Sequence, residues 1–245
     1  MIYKNTEHIK QLNVKAKGLD ALGLIKLAYD EFASKVTFAT SLGEEDQVMT
    51  DMIAQTAPGI GIFTLDTGRL HAETYDLMAK NQKKYHQLAF KIYYPDTKAV
   101  EGMVRTKGIN LFYESVENRK LCCHVRKVEP LSRALADRDA WIAGLRREQA
   151  VTRATLEPVE WDEVNKKIKF NPLYNWSLEQ VRDYIKKNGV DINPLHAKGF
   201  VSIGCAPCTR AIKPGEDIRA GRWWWEEPEQ KECGLHNNPK WKGTK

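Results

Sequence analysis

Three short runs of β-branched and apolar residues punctuate the first part of the chain: VTFAT at 36–40, IGIFTL at 60–65 and AFKIYY at 89–94. Each gives way to a polar or breaking segment, SLGEED after the first, DTG after the second and Pro95 after the third. Helical periodicity follows the first run through Gln55 and the second from about Leu70 to His86. Strand, loop and helix repeated in this way predict a parallel sheet with crossover helices. Ligands of such sheets bind beyond the carboxyl ends of the strands, which makes the SLGEED and LDTGR loops the first candidates for a site.

The pattern continues less regularly. Residues 124–138 predict a basic helix interrupted early by Pro130, and DAWIAGLRREQ a strand running into a polar loop. SLEQVRDYIKKNG predicts a helix with Ser177 as N-cap, Glu179 and Gln180 in its first turn and Gly189 at its end. After GFVSIGCAPC periodicity is lost, and Lys, Glu, Pro, Gly and Trp dominate to the end. The chain is therefore expected to form one α/β domain over 1–245, with 209–245 an irregular, mobile tail.

Composition adds bounds to this outline. A chain of 245 residues with 42% apolar content buries a core without covalent staples. The start, MIYKNTEHIKQL, lacks the apolar run of a signal peptide, and no stretch approaches the roughly 18 apolar residues of a membrane span. A soluble, cytoplasmic protein is expected, where structural disulfides are rare. The net charge of +6 suits nucleic acid, an anionic membrane surface or a small polyanionic substrate, and equally a mildly basic enzyme.

Of the 5 cysteines, Cys122 and Cys123 are adjacent, Cys205 and Cys208 form a C-x-x-C, and Cys233 stands apart. Adjacent cysteines make poor disulfides because the ring they close is strained. The C-x-x-C lies late in the chain, with Pro207 before its second cysteine, unlike a redox dithiol opening an early helix. A shared metal site explains both pairs together, with zinc and an iron–sulfur cube as candidates. Vicinal ligands crowd one small ion but reach different irons of a cube, which favours the cube. Arg126 and Lys127 would offset the negative charge of such thiolates, although either alone reads as an ordinary solvated position. Lys231 and His236 flank Cys233 and favour its thiolate form, while Glu232 opposes it. Taken alone, Cys233 reads equally well as an incidental surface thiol or a nucleophile.

Together these elements resemble the assimilatory adenosine 5′-phosphosulfate (APS) reductases, relatives of the 3′-phosphoadenosine 5′-phosphosulfate (PAPS) reductases. The resemblance is carried by SLGEEDQ at 41–47, LDTGR at 65–69, CCHVRKV-x-PL at 122–131, WIAGLRREQ at 141–149, CxxCTR at 205–210, DIRAGRWWWE at 217–226 and ECGLH at 232–236. It implies a doubly wound parallel sheet of the adenine-nucleotide α-hydrolase type. Ser41 and Gly43 would lie in a modified pyrophosphatase-type loop whose amides approach the phosphosulfate. Leu65, Thr67, Gly68 and Arg69 would hold the adenosine. Cys122, Cys123, Cys205 and Cys208 would ligate a [4Fe–4S] cluster. Lys127, Arg219 and Arg222 would bind the sulfate and phosphate, with Arg147 nearby, and Cys233 would be the nucleophile supported by His236. The partners implied are APS, AMP and a thioredoxin or glutaredoxin, without nucleic acid or membrane, and a homo-oligomer is left open. The PAPS-specific branch lacks the four cluster cysteines, so their presence points to APS.

Three rival readings keep parts of this pattern. The first is PAPS reductase activity, which the presence of the four cluster cysteines counts against. An ATP-pyrophosphatase-type tRNA thiolase needs an SGGxDS loop, from which ATSLGEED departs. A zinc-stapled nucleic-acid-binding module predicts basic residues along one helix, whereas here they gather at the loops and cysteines.

Overall fold

The structure is a computed structural model and describes residues 2–149 and 153–227. Six strands form one sheet in the order β3-β2-β1-β4-β6-β5. They are β1 (Val36–Ala39), β2 (Gly61–Leu65), β3 (Phe90–Tyr93), β4 (Ala140–Ile142), β5 (Val159–Asp162) and β6 (Lys167–Phe170). All neighbours run parallel except the β5–β6 pair, an antiparallel hairpin closing one edge. Its turn is held by Asp162, whose carboxylate accepts from the amides of Val164 and Asn165. The three runs read from the sequence are the first three strands. The expectation of a parallel sheet is met, and the hairpin is an addition to it.

Alternation along the strands feeds two cores. Val36, Phe38, Ile62, Ala140, Ile142 and Phe170 face α2 (Ala21–Phe32) and α3 (Glu44–Thr56). Phe63, Trp141 and Ala143 face Leu131, Ala134 and Leu135 of α7 (Glu129–Leu135). Burial on both faces accounts for the apolar, β-branched composition of the central strands. The remaining helices are α1 (Ile2–Ala16), α4 (Ala72–Lys84), α5 (Thr97–Lys107), α6 (Val116–Cys123) and α8 (Leu178–Asn188). In α8 the Ser177 hydroxyl accepts from the Gln180 amide, the Gln180 side chain accepts from the Ser177 amide, and Gly189 ends the helix in the left-handed region at φ 59°.

The basic helix expected over 124–138 starts earlier and does not break at Pro130. Helix α6 runs into a π turn at His124–Val128 and then into α7. The Glu129 amide reaches back five residues to the His124 carbonyl, and Pro130 falls in the first turn of α7, where its missing N–H costs little.

Residues 209–227 correct the expectation of a mobile tail. They carry no helix or strand, as their lack of periodicity predicts, but they are anchored. Thr209 and Arg222 form an isolated bridge, the Arg210 amide donates to the Gly221 carbonyl, and Trp223 is fully buried. Ordering here comes from ring contacts and ion pairs, which leave no repeat in sequence. No described helix is long and apolar enough to cross a membrane.

Candidate active site

Strand β1 is followed in space by β2 on one side and β4 on the other, so the strand order reverses beside β1. A cleft of about 280 Å³ opens at that point, beyond the carboxyl ends of β1, β2 and β4. The loop after β1 contributes Thr40, Ser41 and Gly43 to it, β2 contributes Leu65 and the loop after it Thr67, and the loop after β4 contributes Gly144 and Arg146. Lys127, Arg219 and Arg222 close it from the α6–α7 rod and the C-terminal segment.

The two loops that flank the cleft are tied together by Asp46 in the first turn of α3. Its Oδ2 accepts from the Ser41 amide at 2.5 Å and the Ser41 hydroxyl at 2.6 Å. A backbone bond from Gly144 reaches the same carboxyl. A Cβ at position 144 would lie 2.3 Å from Asp46 Oδ1, so only glycine admits this approach. The Ser41 amide, expected to face an anion, is therefore already committed to the Asp46 carboxylate. The first turn of α3 also holds Glu44 and Glu45, the latter paired with Arg146 at 2.8 Å. Positive charge in the cleft comes instead from Lys127, Arg146, Arg153, Arg219 and Arg222.

Burial pushes the Asp46 carboxyl up to about 6 from its ordinary 3.8, against the hydrogen bonds of Ser41. A carboxyl raised on folding contributes most to stability below its unfolded value and loses that contribution as pH rises through its folded value. The stability of the wild type relative to Asp46→Asn is expected to fall by about 2 kcal/mol between pH 4 and pH 7.5. Urea unfolding of both proteins at the two pH values measures this difference.

Behind the cleft, Cys122, Cys123, Cys205 and Cys208 line one hollow with Arg69, Phe112, Arg119, Arg126 and Lys127. Cys122, Cys205 and Cys208 are buried and Cys123 is half-buried. The pairs come together because α6 ends at Cys123 and the 205–208 turn hangs from the loop after β2, with the Ala206 amide donating to the Arg69 carbonyl at 2.7 Å. Arg126 is buried and donates to the Thr67 carbonyl at 2.6 Å, fixing that loop from the other side. Burial alone would raise the Cys205 thiol, but Lys127, the Thr67 hydroxyl at 3.3 Å, Arg222 and Arg126 together hold it below its ordinary value. Burial, reinforced by the neighbouring Cys205, pushes Cys208 up to about 12. Burial likewise raises Cys122, against the pull of Arg126.

Among the described residues no three Cys, His, Asp or Glu side chains converge on one ion. The cations Arg69, Arg119, Arg126 and Lys127 stand in the wall of the same hollow.

Most residues singled out in the sequence fall at the cleft or the hollow. Ser41, Gly43, Leu65, Thr67, Arg219 and Arg222 line the cleft, the four cysteines line the hollow, and Lys127 lines both. Three depart from expectation. Arg69 leaves the cleft to donate to the Ile109 carbonyl and Asn110 side chain, and Gly68 makes the turn that allows it at φ 68°. Arg147 donates to the Leu156 carbonyl and lies over the Tyr174 ring. Its neighbour Arg146 faces the cleft instead, and sequence reasoning missed it along with Asp46 and Gly144. Cys233 and His236 lie outside the described residues.

A doubly wound sheet with a cation-lined cleft at its switch point and a thiol-lined hollow behind it defines a nucleotide-type α/β protein with a sulfur-rich second centre. Residues 35–211 match the model of the phosphoadenosine phosphosulfate reductase domain, and the chain belongs to that family. It is 52% identical over 226 residues to the adenosine 5′-phosphosulfate reductase of Burkholderia cepacia, covering 92% of this chain and 89% of that protein. It is 53% identical over 201 residues to the enzyme of the same name from Allochromatium vinosum, covering 82% and 78%. A crystal structure of phosphoadenylyl-sulfate reductase from Candida auris superposes with a TM-score of 0.72 at 32% identity, covering 83% of this chain and 97% of that one. A Candida glabrata FMN adenylyltransferase superposes at TM-score 0.54 and 14% identity over 83% of this chain and 71% of that one, a likeness of fold alone.

Proposed function

We propose that this chain reduces adenosine 5′-phosphosulfate to sulfite and AMP, with Cys233 as nucleophile and a thioredoxin or glutaredoxin as electron donor. The observation that carries this reading is Lys127, a single cation shared between the cleft and the wall of the thiol hollow. The half-buried amine sits where an anionic ligand and anionic sulfur would both meet it.

The nucleotide occupies the cleft, with its sulfuryl and phosphate groups toward Lys127, Arg219 and Arg222. The Cys233 thiolate attacks the sulfuryl sulfur, the bond from that sulfur to the phosphate oxygen breaks, and AMP leaves with the electron pair. Attack of one anion on another is opposed by charge, and cations fixed on the developing charge in a dry site contribute several kcal/mol. Arg222 is nearly fully buried, with its Nε unpartnered among the described residues, and it packs against Gly204, where a Cβ would sit 2.5 Å from its Nη2. Its guanidinium is thus preset rather than recruited. Cys233 is left as an S-sulfonate. A carrier thiolate attacks the Cys233 sulfur, sulfite departs, and the mixed disulfide is resolved by the carrier's second thiol. The carrier dithiol supplies both electrons and is oxidised to its disulfide, a reaction suited to a reducing cytoplasm.

Cys122, Cys123, Cys205 and Cys208 are proposed to hold a [4Fe–4S] cluster. Bound there, it would supply a fixed electrostatic field beside the anion site and a tie between α6 and the 205–208 turn.

The test is sulfite release from APS and from PAPS by the anaerobically prepared protein with thioredoxin. APS is expected to be the better substrate by kcat/KM. Lys127→Gln is expected to lower that constant about 100-fold while AMP still binds. Equal turnover by Lys127→Gln and wild type removes the support for this reading.

A further inference from the structure

Helix α6 and the C-terminal segment are joined by a buried ion pair that the chemistry above leaves unused. Arg119 Nε donates to Glu226 Oε1 at 2.9 Å and Arg119 Nη2 to Glu226 Oε2 at 2.8 Å, and the two side chains are 2% and 3% exposed. The guanidinium lies 4.8 Å from the centroid of the Trp223 ring and also donates to the Cys123 side chain. Trp223 is itself fully buried, adopts the left-handed region at φ 41°, and donates from its amide to the Cys208 carbonyl at 3.2 Å. The Glu226 amide closes the turn on the Trp223 carbonyl at 2.8 Å. One arginine thus touches a member of the first cysteine pair and grips the turn bonded to a member of the second.

Burying an ion pair this completely is a weak route to stability, since desolvation offsets most of the attraction. What the pair does supply is a fixed geometry, because a bidentate fork admits one orientation. A large residue at positive φ also persists only where its surroundings overdetermine it. Both features mark the 222–226 turn as a place where the path of the chain is being set. Beyond it, Cys233 lies seven positions after Glu226, a reach of at most about 25 Å.

We propose that the Arg119–Glu226 pair is a positioning clasp that fixes where the segment bearing Cys233 leaves the body of the protein, so that its thiol meets the cleft from a set origin. The clasp rests on the reading of Cys233 as nucleophile and adds two positioning residues to it. A short tether from a fixed point makes the encounter intramolecular, and a small displacement of the origin is costly to such a reaction. Because Arg119 also bonds Cys123, the origin of the segment and the thiol hollow are set by the same side chain.

The experiment uses the full chain without carrier, so that the reaction stops at the Cys233 S-sulfonate. Its rate of formation from APS is followed by intact-protein mass, alongside AMP affinity, visible absorption and thermal midpoint. Two variants are compared with wild type: Glu226→Gln, and the paired replacement Arg119→Met with Glu226→Leu, which leaves no lone buried charge. In both, S-sulfonate formation is expected to slow about 10- to 100-fold while AMP affinity stays at the wild-type value, and in Glu226→Gln, which keeps the Arg119 contact with Cys123, visible absorption stays there too. An unchanged rate in the paired variant overturns the clasp. So does a rate that falls only in step with AMP affinity, or in Glu226→Gln with absorption, because an ordinary structural support would do that. A wild-type protein that takes no sulfonate on Cys233 overturns the underlying reading, and the clasp with it.

Discussion

Cys233→Ser is expected to lower sulfite release from APS by at least about 10³-fold while leaving visible absorption and AMP binding as in wild type. A serine hydroxyl is not ionised near neutral pH, and its oxygen cannot accept the second displacement that frees sulfite. The dissociation of the two readouts is the informative part. Loss of turnover with intact absorption separates the sulfur that reacts from the sulfurs that bind. Turnover by Cys233→Ser at the wild-type rate would end the proposed mechanism.

The second large effect is expected at Cys205. This thiol is buried, bonded to Thr67 and drawn down by Lys127, Arg222 and Arg126, so it stands where the loop after β2 meets the cations of the cleft. Cys205→Ser is expected to remove the visible absorption and the bound iron and sulfide together. It should also lower the thermal midpoint by several degrees, since each ~1 kcal/mol moves the midpoint of a chain this size about 2–4 °C. The measurement is an absorption spectrum with iron and sulfide assays on anaerobically prepared protein, followed by a melt. A Cys205→Ser protein with wild-type iron content would refute the assignment of the four ligands. A colourless wild type containing one zinc would refute the cube itself.

Much of the architecture is legible because its causes are local. The strands at 36–39 and 61–65 are apolar since both faces of the sheet are covered there, and Ser177, Gln180 and Gly189 write the ends of α8 into the sequence. The β5–β6 hairpin is hidden because it carries charge where a core strand should not. Lys169 is buried against the Trp141 ring at 5.0 Å, with Asp162 and Glu160 beside it, and burial pushes its amine down to about 8. No period marks such a lysine as interior.

At the site, the residue types were readable and their directions were not. The adjacent arginines 146 and 147 differ only in which side of the loop after β4 they leave, and that is decided by the pairing of Arg146 with Glu45, 101 residues away. Arg69 turns from the cleft because Asn110 and the Ile109 carbonyl await it. Asp46 escapes notice in SLGEED, where three consecutive acids read as a solvated helix start. Only the fold shows that one of them is closed in by Gly144.

The widened turn at His124–Val128 carries a consequence of its own. Each helical residue advances the azimuth by about 100°, so one surplus residue slips the phase of everything after it relative to everything before. Cys122 and Cys123 lie upstream of that slip, and the leucines of α7 that face the sheet lie downstream. A single rod can therefore present thiols in one direction and core leucines in another, a combination that strict 3.6-residue winding would constrain. Excising one residue from 124–128 would force the chain to misaim one set or the other, even with every named side chain retained.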